Sequence, residues 1–343
     1  MNTNKLIHVV GCHAEGEVGD VVVGGVAPPP GDTLWAQSRY LDKDGKLKAF
    51  LLNEPRGGLF RHINILTPPK NPRADIGNII LEPETTPPMS GSNAICVATV
   101  VLETGILPIE EPITRFGLEM PGGLVDICAR CRDGKVESVE LTNIASFVDR
   151  VNAPLEVAGH GTLSVDILFG GDSFVALDAS TLGFSLVPDE ARALAELGIK
   201  IARAADEQIG FQHPTLREMN EITFCLMTQP AKVVDSRRIA RHCVAIRPGK
   251  IDRSPTGTAV SARLALMHSR GEATVGDEVV FQSVLGSEFV GGIQSETEIN
   301  GKTAIRPSVR GRAWITGMRQ LMLDPDDPWP TGYRLSDTWP RYR

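Results

Sequence analysis

Residues 88–105 read Pro-Met-Ser-Gly-Ser-Asn-Ala-Ile-Cys-Val-Ala-Thr-Val-Val-Leu-Glu-Thr-Gly. A hydroxyl residue, Ser90, precedes a glycine and a second hydroxyl residue, and an apolar run follows until Gly105. Residues 254–271 repeat this pattern, from Thr256-Gly257-Thr258 to Gly271. In both copies the closing glycine lies 15 positions after the first hydroxyl residue, and 166 positions separate the copies in a chain of 343 residues. The repeat predicts two related halves, each presenting the N-terminus of one helix.

The two predicted helices differ in how apolar they are. From Ala94 to Leu102 the first is apolar on nearly every face, so we expect it to be buried all round. Its valines are poor helix formers, which means that surrounding packing must hold it. The second helix carries Arg263 and His268, so we expect one of its faces to reach polar surroundings.

Composition bounds the class of protein. The chain is 42% hydrophobic and long enough for two domains. Its net charge of −7 comes from interspersed charges, which argues against a nucleic-acid or anionic-membrane partner. Six cysteines are too few for a disulfide scaffold. Neither a signal-like segment nor a run of about 20 apolar residues is present, so we expect a soluble cytoplasmic protein.

Short apolar runs alternate with turn signals along the chain, which has 34 glycines and 24 prolines. This pattern predicts a β-rich protein with a few helices. Residues 113–141 read as an antiparallel meander, and residues 188–210 have the spacing of an amphipathic helix. Residues 149–161 are polar and rich in turn signals, which predicts a domain crossing. Strands on both sides of one apolar helix, twice over, favour an α+β fold in which a curved sheet wraps its own helix.

A helix N-terminus offers unpaired backbone N–H groups and a partial positive charge. A glycine there lets a ligand approach the backbone, and two such ends facing each other would suit a carboxylate. Ser90 and Thr256 would then stand on opposite sides of the ligand, which suits proton chemistry at a Cα carbon. Ordinary capping is the alternative, since Ser and Thr are preferred N-caps and glycine often follows a helix. Two copies with one spacing favour a functional site.

Residues 89–93 and 252–258 resemble the two active-site motifs of the proline racemase family. That family includes proline racemases, 4-hydroxyproline 2-epimerases and trans-3-hydroxy-L-proline dehydratases. The likeness runs nearly end to end, through residues 53–57, 170–174, 286–289 and 311–317.

The resemblance implies an α+β, diaminopimelate-epimerase-like fold. In that fold two pseudo-symmetric domains each form a β-barrel-like sheet around a central helix, and the active site lies in the cleft between them. We expect a first domain of residues 1–155, completed by residues 305–343, and a second domain of residues 156–304. The resemblance also implies no organic cofactor and no metal, and a homodimer is common for such a fold.

Family members that invert Cα carry a cysteine in both motifs, whereas Ser90 and Thr256 stand here. A cysteine thiol titrates near pH ~8.5, and an aliphatic alcohol is a much weaker acid. Threonine in the second motif is the pattern of the family's dehydratases. The resemblance therefore implies a cofactor-independent lyase of amino-acid catabolism, a trans-3-hydroxy-L-proline dehydratase that forms 1-pyrroline-2-carboxylate.

Roles follow from the resemblance, residue by residue. Ser90 is the candidate base for the Cα proton, Thr256 would hold the substrate or assist the departing hydroxyl, and Asp252 matches a residue that contacts the ring nitrogen. Backbone amides would hold the substrate carboxylate; they belong to Gly91, Ser92, Gly257 and Thr258. Many relatives carry histidine at position 92, where this chain has serine. Nothing in the sequence explains how Ser90 becomes basic.

Two other functions stay open: an epimerase or racemase acting through the hydroxyls, and a non-catalytic binder of proline-like ligands. Cys128 and Cys131 have the spacing of half a zinc site, but no second pair follows, so we interpret them as a coincidence. Residues 13–17 are interpreted as an incidental polar turn. His213 and His242 have no evident partner in the sequence and are expected to be structural or solvated.

Overall fold

A computed structural model describes residue 3 and residues 5–340. The chain divides into two compact units. Unit 1 joins the chain up to Leu141 to the returning segment Gly311–Pro340, and unit 2 is Thr142–Arg310. The domain ranges predicted from the sequence also take in residues 1, 2, 4 and 341–343, which lie outside the described residues.

The described residues form 18 strands and five α-helices. The strands are β1 Leu6–Ala14, β2 Glu17–Gly24, β3 Arg61–Thr67, β4 Ile76–Leu81, β5 Ile113–Met120, β6 Gly123–Arg132, β7 Lys135–Thr142, β8 Ser146–Val157, β9 Gly161–Phe169, β10 Ser173–Asp178, β11 Phe224–Thr228, β12 Lys232–Val234, β13 Arg237–Ile246, β14 Lys250–Ile251, β15 Glu278–Gln282, β16 Glu288–Ile299, β17 Lys302–Gly311 and β18 Ala313–Met322. The helices are α1 Leu34–Asp44, α2 Lys46–Leu52, α3 Gly91–Glu103, α4 Ala191–Gln208 and α5 Gly257–Ser269.

Unit 1 is a curved sheet around one helix. Its strands lie in the order β18–β1–β2–β3–β4–β5–β6, and the pairs β2–β3 and β4–β5 are parallel while the others are antiparallel. Helix α3 connects β4 to β5 and packs against β1, β2, β3 and β18. Helices α1 and α2 connect β2 to β3 and pack on β3 and β4.

Unit 2 has the same arrangement of strands and a central helix, and its sheet is closed into a barrel. Its strands lie in the order β8–β9–β10–β11–β13–β15–β16–β17, and β17 pairs back with β8 to complete an eight-stranded barrel. The parallel pairs are β10–β11 and β13–β15, in the same places as in unit 1. Helix α5 leads into β15 as α3 leads into β5. The two related halves predicted from the sequence repeat are therefore confirmed, as is the α+β class.

The two central helices end as predicted. Each of Gly105 and Gly271 follows its helix with a positive φ, +74° and +67°, which is the usual conformation of a glycine just past a helix. Residues 91–102 of α3 are all buried, although their β-branched side chains favour strands, so tertiary packing holds this helix. Arg263 in α5 is also buried. The polar surroundings expected for it are backbone carbonyls and not solvent.

Residues 149–161, predicted as a domain crossing, lie within unit 2, and the chain passes from unit 1 to unit 2 between Leu141 and Thr142. Most of this segment belongs to β8, which pairs antiparallel with β9 along its length. Register shifts on either side of Arg150 turn several polar side chains outward, so the segment lacks the alternation by which a strand is predicted. No helix in the described part of the chain is long and apolar enough to cross a bilayer.

Candidate active site

Ser90 caps α3 from an extended backbone, with φ −152° and ψ 123°. Its Oγ accepts a hydrogen bond from Asn93 Nδ2 at 2.9 Å and lies 3.5 Å from the Asn93 backbone nitrogen. Ser92 Oγ stands 3.3 Å away. Ser90 is half-buried, whereas Gly91, Ser92 and Asn93 are buried. The Ser90 oxygen therefore sits among hydrogen-bond donors at a helix N-terminus, where negative charge is favoured.

A buried polar cluster lies behind Ser90 in unit 1. His62 Nδ1 is 3.2 Å from Asn93 Nδ2, and His62 Nε2 is 3.4 Å from Glu17 Oε1. Glu82 Oε1 lies 3.5 Å from His62 Nδ1. Asn64 Nδ2 donates to Asn93 Oδ1 at 2.8 Å. We call these five residues, which come from β2, β3, α3 and the end of β4, the Asn93 cluster.

Thr256 occupies the matching position before α5, but its backbone is in the left-handed region, with φ +54° and ψ 100°. This conformation is strained for a β-branched residue. The side chain makes no hydrogen bond to its own helix. Instead Thr256 Oγ1 donates to Asp252 Oδ2 at 2.7 Å. The other carboxylate oxygen of Asp252 accepts from the Ser254 backbone N–H at 2.8 Å and from Ser254 Oγ at 2.9 Å.

His242 forms a hydrogen bond to the backbone just before Thr256. Its Nε2 is 2.5 Å from the Pro255 carbonyl oxygen. Burial, together with the nearby Arg263 guanidinium, lowers the pKa of His242 to about 3. The imidazole is therefore neutral, and its Nε2–H donates to Pro255. Arg263 donates to the Arg241 carbonyl at 2.8 Å, and burial lowers its pKa to about 10.

The loop at residues 170–172 contacts the first turns of α5. A Cβ added to Gly170 would stand 2.1 Å from the Thr258 carbonyl oxygen and 2.4 Å from the Ala262 backbone nitrogen. Only glycine leaves room for this contact. Asn143 Nδ2 donates to the Gly170 carbonyl and to Ser261 Oγ, both at 2.9 Å, which ties the loop to the helix.

The structure places the predicted site residues in two groups. The group in unit 1 consists of Ser90, Gly91 and Ser92. The group in unit 2 consists of Asp252, Thr256, Gly257 and Thr258. Within unit 2, Asp252 contacts Thr256 directly. Sequence reasoning missed Asn93, which contacts Ser90, and His62 and Glu17, which lie behind Asn93. The position of Asn93, three residues after the N-cap, is the one signal that pointed to it.

Other sequence features have ordinary places in the fold. Cys128 and Cys131 both lie on β6, where an interval of three residues puts them on opposite faces. Among the described residues, no group of His, Cys, Asp and Glu is arranged to hold a metal ion. Residues 13–17 include the β1–β2 turn, but Glu17 belongs to the Asn93 cluster and is not incidental. His213 and His242 are both buried, so the solvated alternative is wrong.

The chain matches a family model described as proline racemase over residues 9–334. It is 36% identical to a hydroxyproline epimerase from Agrobacterium vitis whose crystal structure contains trans-4-hydroxy-L-proline, with a TM-score of 0.94 over 99% of this chain and 97% of that one. It is 37% identical to a probable proline racemase from Agrobacterium radiobacter K84 with bound carbonate, with a TM-score of 0.92 over 97% and 98% of the two chains.

A more distant similarity concerns the fold alone. A PhzF-family phenazine biosynthesis protein from Bacillus anthracis is 12% identical to this chain. The TM-score is 0.58, over 93% of this chain and 100% of that protein. Together with the two closer structures, it confirms the diaminopimelate-epimerase-like architecture expected from the sequence.

Proposed function

Because the chain belongs to the proline racemase family, we propose that it is a trans-3-hydroxy-L-proline dehydratase, a cofactor-independent lyase. It would remove water from its substrate to give 1-pyrroline-2-carboxylate. The observation that carries this proposal is the bonding of the Thr256 hydroxyl. Its proton is directed at Asp252 and not at its own helix, at a position where family members that invert Cα carry a thiol.

Inversion needs an acid and a base of matched strength on opposite faces of the carbon. Ser90 Oγ accepts hydrogen bonds, whereas Thr256 Oγ1 donates one to a carboxylate, so the two hydroxyls are not equivalent. Elimination does not need equivalent groups. One group removes the Cα proton, and another binds the hydroxyl that leaves from C3. The unlike hydroxyls therefore favour elimination over inversion.

In the proposed reaction Ser90 takes the Cα proton, and the electron pair is delocalised towards the substrate carboxylate. Amides at the two helix starts would bind that carboxylate and stabilise the charge. They belong to Gly91, Ser92, Gly257 and Thr258. Thr256 Oγ1 donates its hydroxyl proton in a hydrogen bond to Asp252. The lone pairs of Thr256 Oγ1 can therefore accept a hydrogen bond from the C3 hydroxyl of the substrate and orient it. The electron pair from Cα–H forms the C2–C3 double bond, the C3–O bond breaks, and the hydroxyl takes one proton from solvent and leaves as water. The enamine then tautomerises without stereospecific return of a proton.

A second candidate is a 4-hydroxyproline 2-epimerase. It is supported by the similarity to the Agrobacterium vitis hydroxyproline epimerase over nearly the whole chain. In that reaction the C4 hydroxyl stays in place and Cα is inverted. Absence of thiols at positions 90 and 256 argues against it, because both groups would have to exchange a proton with carbon.

The test is to incubate the purified protein with trans-3-hydroxy-L-proline, trans-4-hydroxy-L-proline and L-proline, and to follow each by proton NMR. We expect 1-pyrroline-2-carboxylate from the first compound only. Ser90→Ala, which removes the base, should abolish turnover. Inversion of Cα in either of the other compounds, with no loss of water from the first, would contradict the dehydratase and support the epimerase.

A further inference from the structure

We propose that Asn93 is a further catalytic residue, whose side-chain amide stabilises negative charge on Ser90 Oγ, and that His62 and Glu17 position this amide. The inference deepens the proposed function and rests on the role given there to Ser90. It accounts for how an alcohol at this position can become basic enough to remove a Cα proton.

The orientation of the Asn93 amide follows from a chain of hydrogen bonds that begins at a backbone carbonyl. Asn64 Nδ2 lies 3.3 Å from the Asp20 carbonyl oxygen, which can only accept, so the NH₂ group of Asn64 must face it. The same NH₂ group lies 2.8 Å from Asn93 Oδ1. Asn64 Oδ1 in turn accepts from Asn78 Nδ2 at 2.9 Å. The NH₂ group of Asn93 therefore points the other way, towards Ser90 and His62.

His62 accepts a hydrogen bond from the second N–H of the Asn93 amide. An amide nitrogen can only donate, so His62 Nδ1, 3.2 Å from Asn93 Nδ2, is the acceptor, and Glu82 Oε1 lies farther from the same ring nitrogen, at 3.5 Å. The ring proton then sits on Nε2, which faces Glu17 Oε1 at 3.4 Å. The imidazole thus stands between the Glu17 carboxylate and the amide. One N–H of the Asn93 amide thus points to His62 Nδ1, and the other donates to Ser90 Oγ, with 2.9 Å between Asn93 Nδ2 and Ser90 Oγ.

The amide is shielded from water and has no room to turn. Asn93 and His62 are each 1% exposed, and Glu17 is 1% exposed. A Cβ added to Gly19 would stand 2.8 Å from Asn93 Oδ1, so the neighbouring strand β2 closes against the amide. A fixed donor in such a site interacts more strongly with a developing charge than water would, and needs no reorganisation during the reaction.

The proposed proton transfer conserves atoms and charge. Ser90 loses its hydroxyl proton to solvent water and enters the reaction as an alkoxide, which the Asn93 amide and the helix N-terminus stabilise. The substrate Cα–H bond then breaks. Its proton forms a new O–H bond on Ser90 Oγ, and its electron pair stays on the substrate.

The test combines Asn93→Ala with Ser90→Cys, and its readout is loss of deuterium from Cα-deuterated trans-3-hydroxy-L-proline. With Ser90 present, removing one donor to an oxyanion should lower kcat about 10²-fold and change KM little. In the Ser90→Cys protein the base is a thiol, which ionises near pH ~8.5 without this help. There we expect Asn93→Ala to lower kcat less than about tenfold.

Equal losses in the two backgrounds would overturn the inference, because a merely structural role of Asn93 would affect both alike. If Asn93→Ala does not fold, Gly19→Ala provides a second variant, since its methyl group displaces the amide and leaves the Asn93 side chain present. It should lower kcat in the protein with Ser90 more than in the Ser90→Cys protein. Equal effects there count equally against the proposal.

Failure of the proposed function can be told apart from failure of this inference. Deuterium loss from Cα-deuterated trans-4-hydroxy-L-proline reports the Ser90 step even where no water is eliminated. Exchange with that compound and none with the 3-hydroxy isomer would refute the dehydratase, and the Asn93 comparison would then use the exchanging compound. A parent protein that exchanges neither compound would refute the role of Ser90, and the role of Asn93 with it.

Discussion

Ser90 and Thr256 hold equivalent positions in the repeat but have different bonding. Ser90, at φ −152°, accepts a hydrogen bond from Asn93, the third residue of its own helix, whereas Thr256, at φ +54°, donates to Asp252. The difference comes from neighbours and backbone and not from the two hydroxyls themselves. At the scale of the residue, the sequence predicted two hydroxyls at matching places. Asn93 and Asp252 lie within the two motifs, but their contacts with the hydroxyls and the strained φ of Thr256 are properties of the folded chain that a motif does not reveal.

Introducing thiols at positions 90 and 256 should allow inversion of Cα. In Ser90→Cys combined with Thr256→Cys, each group can ionise and exchange a proton with carbon. We expect the double variant to convert trans-4-hydroxy-L-proline to its Cα epimer, measured by chiral chromatography. Ser90→Cys alone is the control and should not invert. A double variant without any epimer formation would show that more than the two side chains separates elimination from inversion.

Asp172 should make the protein more stable in mild acid. Burial raises the pKa of its carboxyl from 3.8 to about 7, against the hydrogen bonds from Thr223 and the Ser173 amide. The folded protein therefore binds a proton that the unfolded chain releases, so this contribution is complete below pH 3.8 and is lost as pH rises through about 7.

The variant that tests this is Asp172→Asn, which is neutral at every pH. Measured by urea unfolding, the substitution should lower the free energy of unfolding more at about pH 5 than at about pH 8. The same pH dependence in both proteins would assign the effect to other groups.

At the scale of the element, the apolar pattern predicted α3, α4 and α5 and most strands, because periodicity is a local property. It failed at β8, where two register shifts interrupt the alternation of inward and outward side chains. It also did not reveal that Arg263 is buried, because the carbonyls that accept from its guanidinium come from distant parts of the chain.

Gly170 should tolerate no side chain. Because a Cβ there would overlap the backbone of α5, Gly170→Ala should lower the free energy of unfolding by about 3 kcal/mol. It should also raise KM, since the clash moves the Thr258 end of the proposed carboxylate site. Gly24→Ala is the matched control, because its nearest neighbour would be a His8 side-chain atom at 3.5 Å, an ordinary contact. Equal stability of the two variants in urea unfolding would contradict the argument.

At the scale of the whole molecule, the repeat and the family resemblance together predicted the architecture. The parallel strand pairs and the central helix recur at the same places in both units, as the spacing of two short motifs suggested. A barrel-like sheet was expected from the resemblance, but the strands that close it in unit 2, β17 and β8, were not predictable, because they lie about 150 residues apart in the chain. The Asn93 cluster was missed for the same reason, since it draws on four separate elements.

Two buried histidines should make the fold sensitive to acid. Burial lowers the pKa of His213 to about 4 and that of His242 to about 3, from 6.5. The unfolded chain therefore takes up protons that the folded protein resists, so this stability is present above pH 6.5 and is lost as pH falls towards those values.

His242→Gln is the informative variant, because a glutamine amide can still donate to the Pro255 carbonyl. Relative to the parent at the same pH, we expect the urea midpoint of this variant to be higher at about pH 5 than at about pH 7. An unchanged difference would mean that His242 is not the group that titrates.

The replacement of thiols by hydroxyls at positions 90 and 256 has a consequence for tolerance of oxidants. Peroxide attacks thiolates, and a reactive cysteine in an open site is readily lost to sulfenic acid and beyond. Here five of the six cysteines are buried and Cys128 alone is half-buried. Burial raises the pKa of Cys96, Cys225 and Cys243, which keeps these thiols protonated and inert. The enzyme should therefore keep its activity after peroxide or iodoacetamide treatment that would inactivate a relative with cysteines at both positions. The Ser90→Cys variant should be inactivated by the same treatment.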